Sequence, residues 1–420
     1  MLKLTDTQDR VVEFVLLIAF FLMIRTLYAV PPSDDLRALW MAGRFFSEGA
    51  DSVYAISDGV FRMTPPPIWV ETYIAEGIER PAYPFIYPPL WAWAVSQLTK
   101  VMTFETFRGA FAILNAAAMC GCFYLASRMA RGALPRTAYM AISLLLVLGL
   151  GSMVAVLPLS ENQPQILVSF LILLAIERDR AGRPWIGGAC MAVAAALKLY
   201  PVLFAIFWLA AGKKHAPAAF TLVGATLGLA SLAVGGWGMH LIFLSEVSAI
   251  SKSVLVLIPN VTLDVLVASL TLDLPNLPRV STEATGGITS WSVLTKPVWW
   301  TIMNTALQAT VVGLCVVHVI RNGLEDVAIW PVIFVALAYV LPLSWIYHYL
   351  PAFAFLPALV SRLGWRAGTY VAFIPAITTS SAFFLFLNAY PAAKIASTFV
   401  LSVGVLTIAA GFLWALRRIN

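Results

Sequence analysis

The chain contains 420 residues, of which 60% are hydrophobic and only 11% are charged, and its mean hydropathy is +0.86. This composition excludes a soluble globular fold, because a water-exposed surface needs far more polar side chains. In lipid, backbone polar groups must be paired within their own segment, so we predict an all-α polytopic membrane protein with residues 1–420 as one integral membrane domain. The net charge of +6 comes from basic residues in short connections between apolar runs, which indicates membrane topology and not nucleic-acid binding.

The first apolar run, Val11–Val30, is long enough to cross a bilayer and has no Ala-x-Ala cleavage site, so we predict a retained anchor. The segment Pro31–Arg44 follows it and carries two adjacent carboxylates, Asp34 and Asp35. One interpretation is that Ser33 or a carboxylate merely caps the next helix. The other is that this acidic pair, at the membrane face, is where the chemistry takes place.

Residues 31–107 are predicted to form the first extracytoplasmic loop, because they contain nine acidic and only five basic residues. The pieces Leu36–Phe46 and Leu90–Val101 are typical of amphipathic helices lying along the interface. An alternative count makes Leu90–Val101 a short extra span. We expect the tryptophans of this loop to anchor it at headgroup level: Trp40, Trp69, Trp91 and Trp93.

Eleven further apolar runs are expected at 108–128, 136–157, 163–177, 184–197, 200–212, 216–236, 297–320, 326–344, 348–363, 368–390 and 393–417. With the first run they predict about twelve spans and two cytoplasmic termini, separated at 237–296 by a second extracytoplasmic loop. The runs 184–197 and 200–212 are each too short for a full span of about 20 residues. We therefore expect a tight pair whose tip, containing Lys198, stops below the outer surface.

Six short motifs stand in order along the chain. They are Asp35-Leu36 with Trp40 and Ala42-Gly43-Arg44, Tyr87-Pro88-Pro89-Leu90, Asn162-Gln163-Pro164-Gln165, Leu197-Lys198-Leu199-Tyr200-Pro201, Asn260-Val261-Thr262-Leu263, and Pro342-Leu343-Ser344-Trp345-Ile346-Tyr347-His348. Together they resemble the polyprenyl-phosphate-sugar-dependent enzymes of glycosyltransferase family 87, of the GT-C structural class. The third motif matches only partly, because Asn162 stands where the family has glycine and Pro164 is unusual.

The resemblance implies a GT-C-like helical bundle in the cytoplasmic (inner) membrane with its active site facing the extracytoplasmic side. It also implies an inverting transfer of mannose, or another hexose or pentose, from a polyprenyl-phosphate carrier to a lipid or glycan acceptor. Neither a nucleotide sugar nor a flavin or nicotinamide cofactor is needed. The outer carboxylates show no metal-ligand spacing, so we expect no metal. The oligomeric state stays open.

The chemistry of such a transfer assigns roles to three residues. A sugar hydroxyl is a weak nucleophile, so a carboxylate must accept its proton, and the family spacing selects Asp35 as this general base. Lys198 and His348 are expected to stabilise the departing phosphate. The remaining candidates for substrate binding are Asp34, Tyr87, Gln163 and Asn260. The alternatives are that Lys198 extends to the interface from a helix end, that His348 is an interfacial residue, and that the others are loop or cap groups.

Two other classes of protein stay open at this point. A flippase for lipid-linked saccharides, or a proton-coupled transporter, would use Asp35, Lys198 and His348 to line a translocation path. Such a path needs its ionisable groups near the bilayer midplane, whereas Asp35 and His348 are predicted at span ends on one side. That position favours an interfacial active site. A catalytically silent scaffold is the third possibility.

Overall fold

The computed structural model describes residues 5–54, 64–272, 279–282, 289–388 and 393–418. Among these residues, the helices of the first half are α1 (Asp6–Leu27), α2 (Asp34–Arg44), α3 (Ala50–Val53), α4 (Pro67–Ala75), α5 (Pro89–Leu98), α6 (Phe104–Ala130), α7 (Arg136–Leu144), α8 (Met153–Ser160), α9 (Gln165–Arg180), α10 (Pro184–Leu197), α11 (Val202–Ala210) and α12 (His215–Ser251). The second half contains β1 (Ser253–Val256), α13 (Leu263–Thr271), β2 (Arg279–Thr282), β3 (Thr289–Thr295), α14 (Val298–Asn322), α15 (Ile329–Val340), α16 (Leu350–Phe353), α17 (Leu356–Leu363), α18 (Trp365–Thr378), α19 (Ser381–Asn388) and α20 (Ala393–Arg417). Single 3-10 turns lie at Phe46–Glu48 and Ile346–Tyr349.

Among the described residues, four helices are long and apolar enough to cross a membrane. These are α6, α12, α14 and the Ser397–Arg417 part of α20. Other apolar helices are shorter, including α10 and α15. The chain is therefore a helical membrane protein with almost no sheet, as its composition indicates. The count of about twelve spans, the GT-C-like arrangement and the cytoplasmic position of the termini stay predictions.

Two apolar runs that were predicted as single helices are broken, and the breaks pair with each other. The run 136–157 divides into α7 and α8, and the run 368–390 divides into α18 and α19. At the junction the backbone N–H of Met153 donates to the carbonyl oxygen of Thr379 (2.8 Å). The side-chain Oγ1 of Thr379 lies 2.9 Å from Ser152 Oγ. The breaks are tolerated because each supplies the backbone partners that the other has lost.

Helix α12 is longer than the predicted span 216–236. It kinks at Gly236, which has φ 68° and ψ 166°, and then continues into the region 237–296 that was predicted as a loop. His240 bridges the kink: Nδ1 lies 2.7 Å from the carbonyl oxygen of Gly236 and Nε2 lies 2.9 Å from Ser231 Oγ. A glycine takes this left-handed conformation without a Cβ clash, so the helix changes direction without ending.

The remainder of the second predicted loop also contains regular structure. Strands β1, β3 and β2 form an antiparallel sheet in that order. The buried carboxylate of Asp264, on α13, accepts hydrogen bonds from Lys296 Nζ (2.8 Å), Asn304 Nδ2 (2.7 Å) and Trp300 Nε1 (2.8 Å). A buried ion pair with these additional donors joins α13, in the middle of the predicted loop, to the start of α14.

The predicted interfacial helix at Leu36–Phe46 is α2, and it packs against α5. The two helices touch at Gly43, where an added Cβ would lie 2.6 Å from Val95 Cγ1. The Ala-Gly part of the first motif is therefore explained by close helix packing, because a larger residue at position 43 would force the helices apart.

The tryptophans of the first loop do not all act as expected. Trp40 and Trp69 are buried. The ring centroid of Trp40 lies 5.2 Å from that of Phe107, and the indole N–H of Trp69 donates to the carbonyl oxygen of Ser52. Trp91 is partly buried, and Trp93 is the most exposed at 37%. The prediction of headgroup anchors was wrong for Trp40 and Trp69, because the loop folds a hydrophobic core of its own.

Candidate functional site

The start of α2 is held by the turn between α8 and α9. The backbone N–H of Ser33 donates to the carbonyl oxygen of Ser160 (3.1 Å), and Ser33 has a left-handed φ of 62°. Its hydroxyl donates to the carbonyl oxygen of Pro31 and does not cap the helix. The buried Asp34 accepts two hydrogen bonds from Arg80, at 2.9 and 2.5 Å. The Asp34 carboxylate is therefore directed toward an arginine of the same loop.

Asp35, partly buried, is directed into a network of polar side chains. Its Oδ2 accepts a hydrogen bond of 2.5 Å from Gln163 Nε2. The same Nε2 donates to the hydroxyl of Tyr347 (3.1 Å), and the hydroxyl of Tyr87 donates to Gln163 Oε1 (2.8 Å). The predicted site residues Asp35, Tyr87 and Gln163 thus come together, although they are far apart in the sequence.

The turn that carries Gln163 is rigidly anchored. Asn162 has φ 51°, a left-handed conformation that glycine adopts freely and asparagine more readily than most residues. Its side chain accepts from Asn115 Nδ2 (2.8 Å) and donates to the carbonyl oxygen of Arg108 (2.9 Å). Pro164 lies at the N-cap of α9, where the helix does not need its missing N–H. Both departures from the family motif are therefore compatible with the turn.

Lys198 and His348 meet beside this network. Lys198 Nζ lies 3.4 Å from His348 Nε2 and 5.5 Å from the ring centroids of both Tyr87 and Tyr347. His348 Nδ1 accepts the backbone N–H of Trp345 (3.0 Å), which assigns the proton of the neutral imidazole to Nε2. Two donors therefore lie side by side, an arrangement that suits one anionic acceptor that bonds both.

Both polar atoms of the Asn260 side chain bond backbone groups. Its Oδ1 accepts the backbone N–H of Ser344 (3.1 Å), and its Nδ2 donates to the carbonyl oxygen of Leu255 (2.9 Å). The neighbouring Val261 N–H donates to the carbonyl oxygen of Ser344 (2.8 Å). Asn260 thus joins the second loop to the segment before His348, and it does not line the pocket of Asp35.

Two cavities meet at Lys198. The smaller contains the polar network and is lined by Asp35, Ala38, Tyr83, Pro84, Ile86, Tyr87, Gln163, Lys198, Leu255, Leu343, Trp345 and Tyr347. The larger is mainly apolar and includes Phe204, Phe243, Val247, Phe334, Leu337 and His348. Four residues line both cavities: Ile86, Lys198, Leu343 and Trp345. The two cavities therefore adjoin at Lys198, with an apolar lining on one side and the Asp35 carboxylate on the other.

Burial raises the pKa of the Asp35 carboxyl, and the nearby charge of Asp34 adds to this effect. The Gln163 hydrogen bond and the Lys198 charge act in the opposite direction. Burial also raises the pKa of Glu161, as do the charges of Asp35 and Asp34. Glu161 was missed by sequence reasoning, and its only signal was an acid directly before the Asn-Gln motif. The site thus holds three neighbouring carboxyl groups.

We predict that activity depends on Asp35 being ionised. Below its raised pKa the carboxyl is protonated and cannot accept a proton, so kcat/KM should fall about tenfold for each unit by which the pH is lowered. This fall should begin at a pH above about 3.9, the ordinary pKa of an aspartate. Gln163→Leu removes a hydrogen bond that favours the carboxylate, so its acidic limb should shift to higher pH. A pH–rate profile of both proteins measures this. An unshifted limb in Gln163→Leu would contradict the assignment.

The four long apolar helices of the described residues place this chain among the integral membrane proteins. Residues 85–274 match the model of glycosyltransferase family 87, which confirms the resemblance drawn from the motifs. The match covers 190 of the 420 residues, and over this range the chain is similar to glycosyltransferase family 87. The matched range contains four of the seven predicted site residues, namely Tyr87, Gln163, Lys198 and Asn260, whereas Asp34, Asp35 and His348 lie outside it. A search of curated proteins found no match.

Proposed function

We propose that this protein transfers a sugar from a polyprenyl-phosphate carrier to a lipid or glycan acceptor at the extracytoplasmic face of the cytoplasmic membrane. The observation that carries the proposal is the position of Lys198 in the wall shared by the apolar and polar cavities. A polyprenyl chain fits the apolar cavity, and a sugar fits the polar one. The phosphate that joins them then lies beside the lysine.

In the proposed reaction Asp35 is the general base. The acceptor hydroxyl transfers its proton to the Asp35 carboxylate while its oxygen bonds to the anomeric carbon of the sugar. The bond between that carbon and the phosphate oxygen breaks, and its electron pair leaves with polyprenyl phosphate. A single displacement of this kind inverts the anomeric configuration. Gln163 orients the carboxylate through the hydrogen bond to Oδ2, and a fixed base lowers the barrier more than a mobile one.

Lys198 and His348 stabilise the leaving phosphate in this proposal. Negative charge develops on the phosphate oxygen as the bond breaks, and preformed donors in a dry cavity stabilise such charge strongly. Lys198 contributes a charge. His348, with its Nδ1 occupied by the backbone of Trp345, contributes a neutral Nε2–H donor. The lysine should therefore have the larger effect.

The other predicted site residues take supporting roles in the proposal. Tyr87 holds Gln163 and forms part of the polar wall that contacts the sugar. Asp34 orients the acceptor side of the pocket through its ion pair with Arg80. Asn260 supports His348 indirectly by fixing the backbone of the segment before it. The sugar is mannose or another hexose or pentose.

A transfer assay with purified protein tests the proposal. A short-chain polyprenyl-phosphate sugar with a labelled sugar should yield labelled acceptor and free polyprenyl phosphate in equal amounts, whereas a nucleotide sugar should yield neither. An assay in reconstituted vesicles distinguishes transfer from the rival function. Movement of the intact lipid-linked sugar across the bilayer without bond cleavage would indicate a flippase. Identifying the lipids that accumulate when the protein is absent would identify the acceptor.

A further inference from the structure

The first turn of α2, which carries the proposed base, has no side-chain cap of its own. The first N–H groups of any α-helix lack partners within the helix and need acceptors from elsewhere. Ser33 is at the N-cap position, where a serine hydroxyl normally accepts one of these N–H groups. Here the hydroxyl donates to the carbonyl oxygen of Pro31 (3.0 Å), and the left-handed φ of 62° turns it away.

Glu161 supplies the missing acceptor from a different element. Its Oε2 accepts the backbone N–H of Asp34 at 3.2 Å, although the two residues are 127 positions apart in the chain. The carbonyl oxygen of the preceding residue, Ser160, accepts the N–H of Ser33 at 3.1 Å. A carboxyl oxygen at a helix amino terminus is favourably placed with respect to the helix dipole. The turn after α8 therefore acts as the cap of α2.

The same turn also holds the side chain of the base. Gln163 hydrogen-bonds Asp35 Oδ2, so residues 160–163 contact both the backbone at the start of α2 and the reactive carboxylate. The turn is itself fixed to α6 through Asn162, which bonds Asn115 and the backbone of Arg108. A displacement of α2 would therefore move Asp35 relative to the turn and to the cavity.

From these contacts we infer that Glu161 is a positioning residue for catalysis: through its backbone hydrogen bond it fixes the first turn of α2 and thereby holds Asp35 in the polar cavity. The inference rests on the proposed function, in which Asp35 is the base. It assigns to Glu161 no contact with substrate and no proton transfer.

The charges around Glu161 agree with this role. Asp34 and Asp35 are close to it, and the Arg80 guanidinium that is paired with Asp34 also interacts electrostatically with Glu161. Burial and these two negative neighbours raise the pKa of Glu161 to about 8. A protonated carboxyl still offers an oxygen to the N–H of Asp34. Glutamine has nearly the same shape and the same acceptor, so Glu161→Gln should preserve the cap.

Four purified proteins test the inference: wild type, Glu161→Ala, Glu161→Gln and the control Glu48→Ala, which removes an exposed carboxylate from the loop after α2. Glu161→Ala should lower kcat by about tenfold to a hundredfold, the range expected for a displaced catalytic group, with little change in the KM for the donor. Glu161→Gln and Glu48→Ala should retain nearly the wild-type kcat.

Hydrogen–deuterium exchange provides a readout that does not depend on activity. The peptide containing residues 33–36 should exchange faster in Glu161→Ala than in wild type and at the wild-type rate in Glu161→Gln, while α6 stays protected in all variants. Glu161→Asp, one methylene shorter, should show an intermediate exchange rate and serves if the alanine variant does not fold.

Two results would overturn the inference. A wild-type kcat per folded molecule in Glu161→Ala would mean that the cap does not position the base. An equal loss in Glu161→Gln and Glu161→Ala would mean that the carboxyl acts through its charge or its proton. A wild-type protein that transfers no sugar from the lipid carrier would instead refute the proposed function, and the exchange rates would still decide whether Glu161 fixes α2.

Discussion

Asp35→Asn should abolish sugar transfer while the protein still binds its donor. Asparagine has nearly the same shape as aspartate and retains an oxygen for the Gln163 hydrogen bond, so the network around it should persist. It cannot accept a proton at neutral pH, and loss of a general base typically costs about 10²–10⁴-fold in rate. The measurements are the turnover rate with a short-chain polyprenyl-phosphate sugar and the equilibrium affinity for that donor.

Asp34→Asn is the matched control for this substitution. The two carboxylates are adjacent on a helix, so their side chains point about 100° apart and cannot serve the same acceptor hydroxyl. Asp34 forms a two-bond ion pair with Arg80, so Asp34→Asn should lower the melting temperature yet keep a substantial fraction of turnover. An active Asp35→Asn beside an inactive Asp34→Asn would assign the base to the other carboxylate. Full activity in both would place the base elsewhere.

Lys198→Met should cause the second-largest loss. Methionine matches the length of the lysine stem and keeps the apolar contacts, but it removes the charge that lies between the two cavities. Removing one group that stabilises developing negative charge typically costs about 10²–10³-fold in kcat. The Lys198 charge also favours the ionised form of Asp35, so the variant should show its acidic limb at higher pH than the wild type.

The control for this prediction is Lys100→Met, which removes an exposed lysine of the first loop and should leave kcat unchanged. His348→Ala should reduce kcat less than Lys198→Met, because the imidazole contributes a neutral hydrogen bond where the lysine contributes a charge. Unchanged turnover and donor affinity in Lys198→Met would show that this lysine merely extends to the interface. A larger loss in His348→Ala than in Lys198→Met would contradict the assigned roles.

The class of the protein was evident in the sequence, as were the segments that carry the candidate site. Composition is a property of the whole chain, so 60% hydrophobic residues determine that it belongs in lipid whatever the detailed packing. Segment ends marked by short-range signals were also found, such as α10, which occupies the predicted run 184–197. Motif order was sufficient to predict a resemblance to glycosyltransferase family 87, whose model matches residues 85–274. The chemistry of the motifs led us to propose Asp35, Lys198 and His348.

Local sequence patterns were less informative where the contacts of one segment are supplied by another that is distant in the sequence. The runs 136–157 and 368–390 are continuously apolar, so neither run by itself indicates that its helix is broken. The backbone groups at each break are bonded by the other segment. Trp40 and Trp69 belong to the residue type that is enriched at membrane interfaces, yet they are buried because the loop that contains them forms a core of its own. Gly43 illustrates the same limit, since its closeness to Val95 depends on the packing of two helices.

The sequence alone determined that this is a membrane protein with a carboxylate beside its first apolar run, and its motifs predicted the resemblance to glycosyltransferase family 87. Only the tertiary structure decided which partners each candidate has: Arg80 for Asp34, Gln163 for Asp35, and Glu161 for the amino terminus of α2. The reason is physical. Helix length and hydrophobicity depend on neighbouring residues, whereas a hydrogen bond between residues 127 or 128 positions apart exists only after the intervening helices have packed.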